Sequence, residues 1–374
     1  MTLSAHARSL DGQHSRHGQQ DQPGDDLGQA ARRRRSLLWL TGLGLGLVVT
    51  IVFAVCLGGV GIPPSTVVSI IGHHVLGTPA GGASLAQDSI VWQVRLPRVL
   101  LGAAVGAGLA VCGVALQAMV RNVLADPYLL GVSSGASTGA AGAILFGFGA
   151  GLGEHALALS AFAGALGASV VVFVVARAGG RITSLRLLLA GVAVGYALYA
   201  ATSFLIFASD SAEGARSVLF WLLGSLGLAS WGVPLAAVLV IVCVTVAALL
   251  IWSRRLDALA VGDETAHTLG VSPTRFRVLL LAVVSLCVGA VVAASGGIGF
   301  VGLVIPHIAR RFVGAAHGRC VPVAALIGAV FLVWADVVAR VLLVPRELPI
   351  GIITALVGAP FLLVLVRRFH ATTT

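Results

Sequence analysis

The sequence predicts an all-α polytopic membrane protein, and three observations predict it. Hydrophobic residues make up 58% of the 374 and charged residues only 10%, against about 25% charged in a soluble domain. Mean hydropathy is +1.01, the mark of a chain whose main solvent is lipid. Apolar runs of about 20 residues, enough to cross a hydrocarbon core as helix, recur from Leu37 onward. These features exclude an ordinary water-soluble enzyme. All 24 basic residues are arginine. A Walker A loop needs a lysine for the β- and γ-phosphates, and Schiff-base chemistry needs a lysine amine, so this chain does neither alone. The formal charge of +10 does not predict a nucleic-acid partner, because the arginines form no single stripe or patch.

Taken in order, residues 1–36 read as a disordered cytoplasmic tail, rich in Gln, Asp, Gly, His and Ser up to about Ala31. His6, His14 and His17 within it are not expected to bind metal. Arg32 to Arg35 precede the apolar run Ser36 to Leu57, which is too long for a signal h-region and lacks an A-x-A site, so it is an uncleaved first helix. About ten transmembrane helices follow from the apolar runs: Leu37 to Gly58, Leu96 to Val120, Tyr128 to Phe148, His155 to Ala176, Leu187 to Ala208, Val233 to Trp252, Val278 to Ala294, Gly299 to Phe312, Val321 to Val344 and Ile350 to Val366. The eighth is short and bounded by Gly and Pro. The membrane domain spans residues 37–369, and 370–374 form a short tail.

Charge sets the orientation. With the N-terminus inside, Arg32 to Arg35, Arg121, Arg177, Arg181, Arg186, Arg254, Arg255, Arg275, Arg277, Arg310, Arg311, Arg319, Arg367 and Arg368 fall inside, and Arg95, Arg98, Arg216, Arg340 and Arg346 outside. That bias predicts an N-in, C-in topology. Gly131, Gly135 and Gly139, and likewise Gly102 and Gly106, recur every four residues and predict close helix contacts. The five cysteines, Cys56, Cys112, Cys243, Cys287 and Cys320, have no CxxC spacing and read as small buried hydrophobes.

Within the spans, Asp336 and Arg340 can pair at i,i+4, and His307 follows Pro306. No series of carboxylates crosses the membrane, which weighs against a secondary carrier or channel driven by an ion gradient. The connection of residues 253–277 is conspicuously polar. Gly262 breaks it, Asp263 can cap a helix, Glu264 suits the positive end of the helix dipole, and Gly270 and Pro273 end the turn after Leu269. One or two short amphipathic helices are expected there, outside the bilayer and available to a soluble partner.

Five stretches, Trp92 to Ala136, Leu185 to Gly195, Ala258 to Val271 (ALAVGDETAHTLGV), Gly296 to Arg310 (GGIGFVGLVIPHIAR) and Glu347 to Leu363, together resemble the permease subunits of binding-protein-dependent ABC importers for iron siderophores, haem and cobalamin. The resemblance covers Leu37 to Phe369. It implies the type II importer architecture and a bacterial cytoplasmic membrane location. Its partners would be a second permease subunit, identical or related, two ATP-binding subunits that hold ATP and Mg, and an extracytoplasmic substrate-binding protein. The chain itself would carry no cofactor, metal or catalytic residue. Gly262, Asp263, Glu264, Ala266, Leu269 and Gly270 match the ATPase-coupling motif. Arg95, Arg98 and Arg340 match arginines that dock the binding protein, and Asn122, Leu124, Ser184 and Leu185 match the cytoplasmic gate. The chain departs from the family at Val123, where proline is common, and at Leu185, where a small hydroxyl residue is common. Arg98-Val99-Leu100-Leu101 and Arg277-Val278-Leu279-Leu280 form a faint echo, in the sense of an inverted repeat. The implied cargo is a ferric siderophore, with haem or cobalamin as alternatives. His73 and His74 read as exposed surface residues of the first outer loop.

Overall fold

The computed structural model describes residues 26–79, 82–178, 180 and 182–371. The described residues form helices and their connections, with no strand among them. The helices are α1 (Asp26–Cys56), α2 (Pro64–Leu76), α3 (Leu85–Ser89), α4 (Leu96–Val120), α5 (Val132–Phe146), α6 (Ala156–Arg177), α7 (Ser184–Phe207) and α8 (Ala212–Leu222). There follow α9 (Val233–Ile251), α10 (Ser253–Val261), α11 (Asp263–Thr268), α12 (Pro273–Ser295), α13 (Val301–Val313), α14 (His317–Val341) and α15 (Ile350–Ala371).

α4 is the axis of the molecule. It is apolar or small on every side, the pattern of a helix enclosed by protein, and it is buried along nearly its whole length. α9, α12, α13 and α14 pack around it. α5, α6 and α7 form a second group joined to the first through α12, while α1 lies along α14. Helices approach closely where glycine removes the side chain. A Cβ on Gly106 would overlap the Gly328 carbonyl, one on Gly113 the Gly302 carbonyl, and one on Gly135 the Gly164 carbonyl. Lipid supplies no hydrophobic drive between helices, so such contacts carry the packing. Gly135, Gly139 and Gly106 therefore act as their spacing predicts. Gly102 differs, meeting the Leu226 side chain, and Gly131 lies before α5 rather than within it.

Among the described residues, seven helical stretches are long and apolar enough to cross a membrane, and α5 and the apolar part of α15 are shorter. The eighth predicted segment needs correcting. α13 has 13 residues, roughly 20 Å at 1.5 Å per residue, against a hydrocarbon core of about 30 Å. Its Gly302 meets Gly113, seven residues before the end of α4, and the helix follows the non-helical stretch 296–300. That stretch is tolerable in apolar surroundings only because protein satisfies its backbone. The Tyr128 hydroxyl accepts from the Ile298 N–H at 2.7 Å and donates to the Ile298 carbonyl at 2.8 Å, and the Ser225 N–H bonds the Ser295 carbonyl at 2.8 Å.

Two terminal expectations also change. α1 begins at Asp26, so residues 26–36 are helical rather than part of a disordered tail. Ala, Gln, Leu and Arg dominate that stretch, and nothing separates these good helix formers from the apolar run. Residues 1–25, with His6, His14 and His17, lie outside the described residues, as do 372–374; α15 continues through Ala371. The short helices α2, α3 and α8 were not foreseen. Ser211 starts α8 by accepting the Gly214 N–H at 2.9 Å.

Candidate functional site

Charged and polar side chains gather at the two ends of α4. Arg98 and Met119 lie 21 residues apart on it, roughly 32 Å of helix, about the thickness of a hydrocarbon core.

At the Met119 end, Gly262 separates α10 from α11 with φ +157° and ψ +163°, a backbone region open essentially to glycine alone. Asp263 is then the first residue of α11, not its cap, because Gly262 occupies that position. Its carboxylate turns inward to Arg277, accepting from Nη1 at 2.8 Å and from Nη2 at 2.7 Å. That guanidinium holds the Asp263 carboxyl below the ordinary carboxylate range despite partial burial. Glu264 and Leu269 are exposed, while Ala266 is fully buried. Gly270 ends the helix with φ +76°, its N–H bonding the His267 carbonyl at 3.0 Å and the Val271 N–H bonding that of Ala266 at 2.8 Å. This is a Schellman closure, which needs the left-handed residue that glycine supplies. The pair α10–α11 thus presents a short polar lever whose second helix is flanked by two glycines.

Of the four predicted gate residues, Ser184 is tied to this helix pair, through Arg277. Ser184, the first residue of α7, donates to the Met119 carbonyl at 3.1 Å and accepts from Arg277 at 3.0 Å. Asn122 and Leu124 form the turn that follows α4, where the Asn122 Oδ1 accepts the Leu124 N–H at 2.9 Å. Leu185 is exposed. Asp257 on α10 accepts both the backbone N–H of His317, at 2.9 Å, and its ring Nδ1, at 2.6 Å. Burial raises the Asp257 carboxyl, but the His317 hydrogen bonds outweigh it and leave the group below its ordinary value. Gln117, buried in α4, donates to the Ala125 carbonyl at 3.2 Å and accepts from Arg310.

At the other end, the three arginines matched to binding-protein docking are buried and internally bonded. Arg95 donates to the carbonyls of Val55 at 2.8 Å, Cys56 at 3.1 Å and Val60 at 2.5 Å, satisfying the end of α1. Arg98 grips Asp336 through Nε at 3.0 Å and Nη2 at 2.9 Å, and reaches Glu347 at 2.9 Å. Arg340 pairs with Asp336 at 3.0 Å, as its i,i+4 spacing predicts, and donates to the carbonyls of Leu57 and Ala54 at 3.2 Å. Direct docking requires exposed guanidinium groups, and here only the Glu347 end of the network opens to solvent. Four of the five cysteines are buried as expected, whereas Cys243 on α9 is exposed. His74 pairs with Asp88 at 2.9 Å and stacks on Trp92 with ring centroids 4.2 Å apart; His73 bonds the Thr78 carbonyl at 2.7 Å.

Beside the Glu347 end lies a cavity of about 920 Å³, lined by Glu213, Arg216, Phe220, Trp221, Ser225 and Glu347 among others. The connection after α8 meets the entry to α15 at its wall, with the Gly351 N–H bonding the Leu223 carbonyl at 3.0 Å and the Ile350 N–H that of Gly224 at 3.2 Å.

A lysine-free helical membrane body with a cavity near one end and a clamped polar helix pair at the other defines a membrane permease subunit. The model of the FecCD transport family matches residues 46–368. The chain belongs to that family of ABC transporter permeases, whose ATPase sites are on other subunits. It is 47% identical over 278 residues to the cobalamin import system permease protein of Halobacterium salinarum, covering 74% of this chain and 73% of that one. Identity is 42% to the hemin transport system permease protein of Yersinia pestis, over 74% and 83% of the two chains. It is 38% to the Fe(3+)-citrate import system permease protein of Bacillus subtilis, over 75% and 82%. Among solved structures, an inward-facing transporter of the metal-chelate ABC type superposes with a TM-score of 0.76 at 35% identity, covering 88% of this chain and 98% of that one.

The sequence reading missed Glu347 and Asp257 as partners and Arg277 as a hub. Each has an arginine one or two positions away in sequence, Arg346, Arg255 and Arg275, so nothing local singled it out. The partners lie 249, 60 and up to 158 residues away, so sequence spacing could not pair them.

Proposed function

We propose that this chain is the transmembrane subunit of an importer that moves an intact iron chelate, such as a ferric siderophore, across a bacterial cytoplasmic membrane. The observation that carries this reading is the helix pair α10–α11, whose second helix is flanked by Gly262 and Gly270 and clamped to the membrane body through Asp263. A lever of this kind suits the cleft of a soluble ATPase, with Gly262, Asp263, Glu264, Ala266, Leu269 and Gly270 at the contact. Two such ATP-binding subunits, holding ATP and Mg, would supply the energy that the sparse ionisable inventory of the membrane body does not. A second permease copy or relative completes the pathway, and an external binding protein delivers the cargo.

The Arg98 end is outside and the α11 end inside in this reading, which follows the arginine bias. The ten predicted segments then cross in N-in, C-in order, with the stretch from 296 through α13 as one composite crossing. Asn122, Leu124, Ser184 and Leu185 form the inner gate. Arg95, Arg98 and Arg340 act at the outer face by holding α1, α4 and α14 in place, with Glu347 as the exposed member of their network.

The cavity of about 920 Å³ has room for a drug-sized or larger ligand. The Fe(3+)-citrate relative supports iron as the metal carried. The 47% identity to a permease named for cobalamin favours a second reading, cobalamin import, and the hemin relative supports haem in the same way. The test is uptake of radioactive iron, supplied as a panel of ferric siderophores, in iron-starved cells lacking and then regaining this gene. Loss and recovery with one chelate establishes the reading. Unchanged uptake of every chelate, together with lost uptake of labelled cobalamin or haem, replaces iron with that cargo.

A further inference from the structure

The gate and the lever proposed above meet at one side chain to which neither role is assigned. Arg277 stands in the second turn of α12 and is 1% exposed. Its guanidinium uses all five of its N–H donors. Nε donates to the Met119 carbonyl at 3.3 Å, Nη1 to the Ile182 carbonyl at 3.4 Å and to Asp263, and Nη2 to Ser184 and to Asp263. The acceptors belong to three separate segments: the last turn of α4, the entry into α7, and the first residue of α11. Ser184 closes the ring by donating to the same Met119 carbonyl.

The exposure of this group is graded. The Asp263 carboxylate is 38% exposed while the Arg277 side chain is 1% exposed, so the ion pair runs from the surface into the interior. α11 is six residues long and is flanked by glycines at φ +157° and +76°. Such a helix pivots on its ends. The bidentate pair is its charged tie to the membrane body, alongside the buried Ala266. A buried guanidinium cannot easily part from its carboxylate, because the charge left behind has no solvent. When α11 shifts, the fork therefore shifts with it, and the fork's remaining donors hold the ends of α4 and α7.

We propose that Arg277 is a positioning residue that transmits displacement of the α11 lever to the inner ends of α4 and α7. The proposal rests on the reading of α11 as the ATPase contact and of the Asn122 to Leu124 turn and Ser184 to Leu185 as the gate. Lysine offers three donors at a point and cannot reproduce a planar fork, so Arg277→Lys keeps the charge and removes the transmission.

The experiment uses the complete transporter in proteoliposomes, with ATP hydrolysis and chelate uptake measured in the same preparation. A second readout is cross-linking of Leu185→Cys across the dimer axis with and without nucleotide. Arg277→Lys is expected to retain the co-purifying ATPase and its hydrolysis, while uptake per ATP falls by about tenfold and the nucleotide dependence of cross-linking disappears. Asp263→Asn, at a half-exposed position, gives the same deficit if Arg277→Lys does not assemble, and the double variant is no worse than either alone. Unchanged uptake per ATP and nucleotide-dependent cross-linking in both single variants overturn the proposal. Glu264→Arg separates this from the underlying reading. If Glu264→Arg uncouples and the other two do not, only the role of Arg277 falls; if Glu264→Arg stays coupled, the lever assignment falls with it.

Discussion

Replacing Asp336 with asparagine is the sharpest test of the charge network formed by Arg98, Asp336, Arg340 and Glu347. Asp336 is buried, with 3% of its side chain exposed, and faces two guanidinium groups: Arg98 at 2.9 and 3.0 Å and Arg340 at 3.0 Å. Asparagine keeps the shape and removes the negative charge. Breaking a buried ion pair by removing one partner costs about 3–5 kcal/mol, because the surviving charge stays out of water. Two features place this case at the lower end. Arg340 keeps the carbonyls of Leu57 and Ala54, and Arg98 keeps Glu347. The expected loss is about 3 kcal/mol, roughly a hundredfold in the folding equilibrium. The companion change Glu347→Gln alters a carboxylate whose side chain is 51% exposed and is expected to cost under about 1 kcal/mol. Reversible unfolding of the purified permease in mixed micelles measures both. Equal losses at the two positions, or a loss below about 1 kcal/mol at Asp336, would show that the network is not the buried electrostatic anchor described here.

Three further outcomes are expected. Gly106→Val should destabilise the α4–α14 contact by about 1–3 kcal/mol, since even a Cβ there overlaps the Gly328 carbonyl; Gly42→Val, which meets open space, should change thermal stability by less than about 0.5 kcal/mol. A lipid-soluble maleimide should label Cys243 and leave Cys56, Cys112, Cys287 and Cys320 unlabelled under native conditions, as read by mass spectrometry, because only Cys243 is exposed. The Arg277 hydrogen bonds lower the folded-state pKa of Asp263, so their contribution is complete above the unfolded value of about 3.9 and is lost as pH falls through the lower folded value. The carboxyl resonance of Asp263 should therefore stay unchanged from pH 8 to pH 5, and its midpoint should move up toward about 3.9 in Arg277→Gln.

Much of the architecture was legible because a membrane makes local sequence decisive. A segment in lipid must satisfy its own backbone, so length and hydropathy alone placed α4 and its end at Val120, although the helical run begins earlier, at Leu85. The polar helix pair α10–α11 was equally legible. Gly262, Gly270 and Pro273 are punctuation that acts on the residues beside them, and the helices α10 and α11 fall on either side of Gly262. The resemblance to the importer permeases rested on those same local strings, and the family match confirms it. The run containing α13 was legible only as short and apolar, because 14 residues do not say what they pack against. Only the structure places its Gly302 on Gly113.

By itself the sequence determined the solvent of this protein, the positions of its long helices, the short helices on either side of Gly262 and its family, all of which are written in composition and in neighbours a few residues apart. The tertiary structure alone decided what the charges do. Arg98 and Arg277, which open the two echoed four-residue strings, each turned out to be a buried arginine clasping a carboxylate, Asp336 at one end of the molecule and Asp263 at the other. An arginine near the end of an apolar run can point to lipid headgroups, to a partner or into the protein, and sequence treats the three alike. Which one holds depends on whether folding brings an acidic group within about 3 Å, and for Arg98 that group comes from 238 residues away.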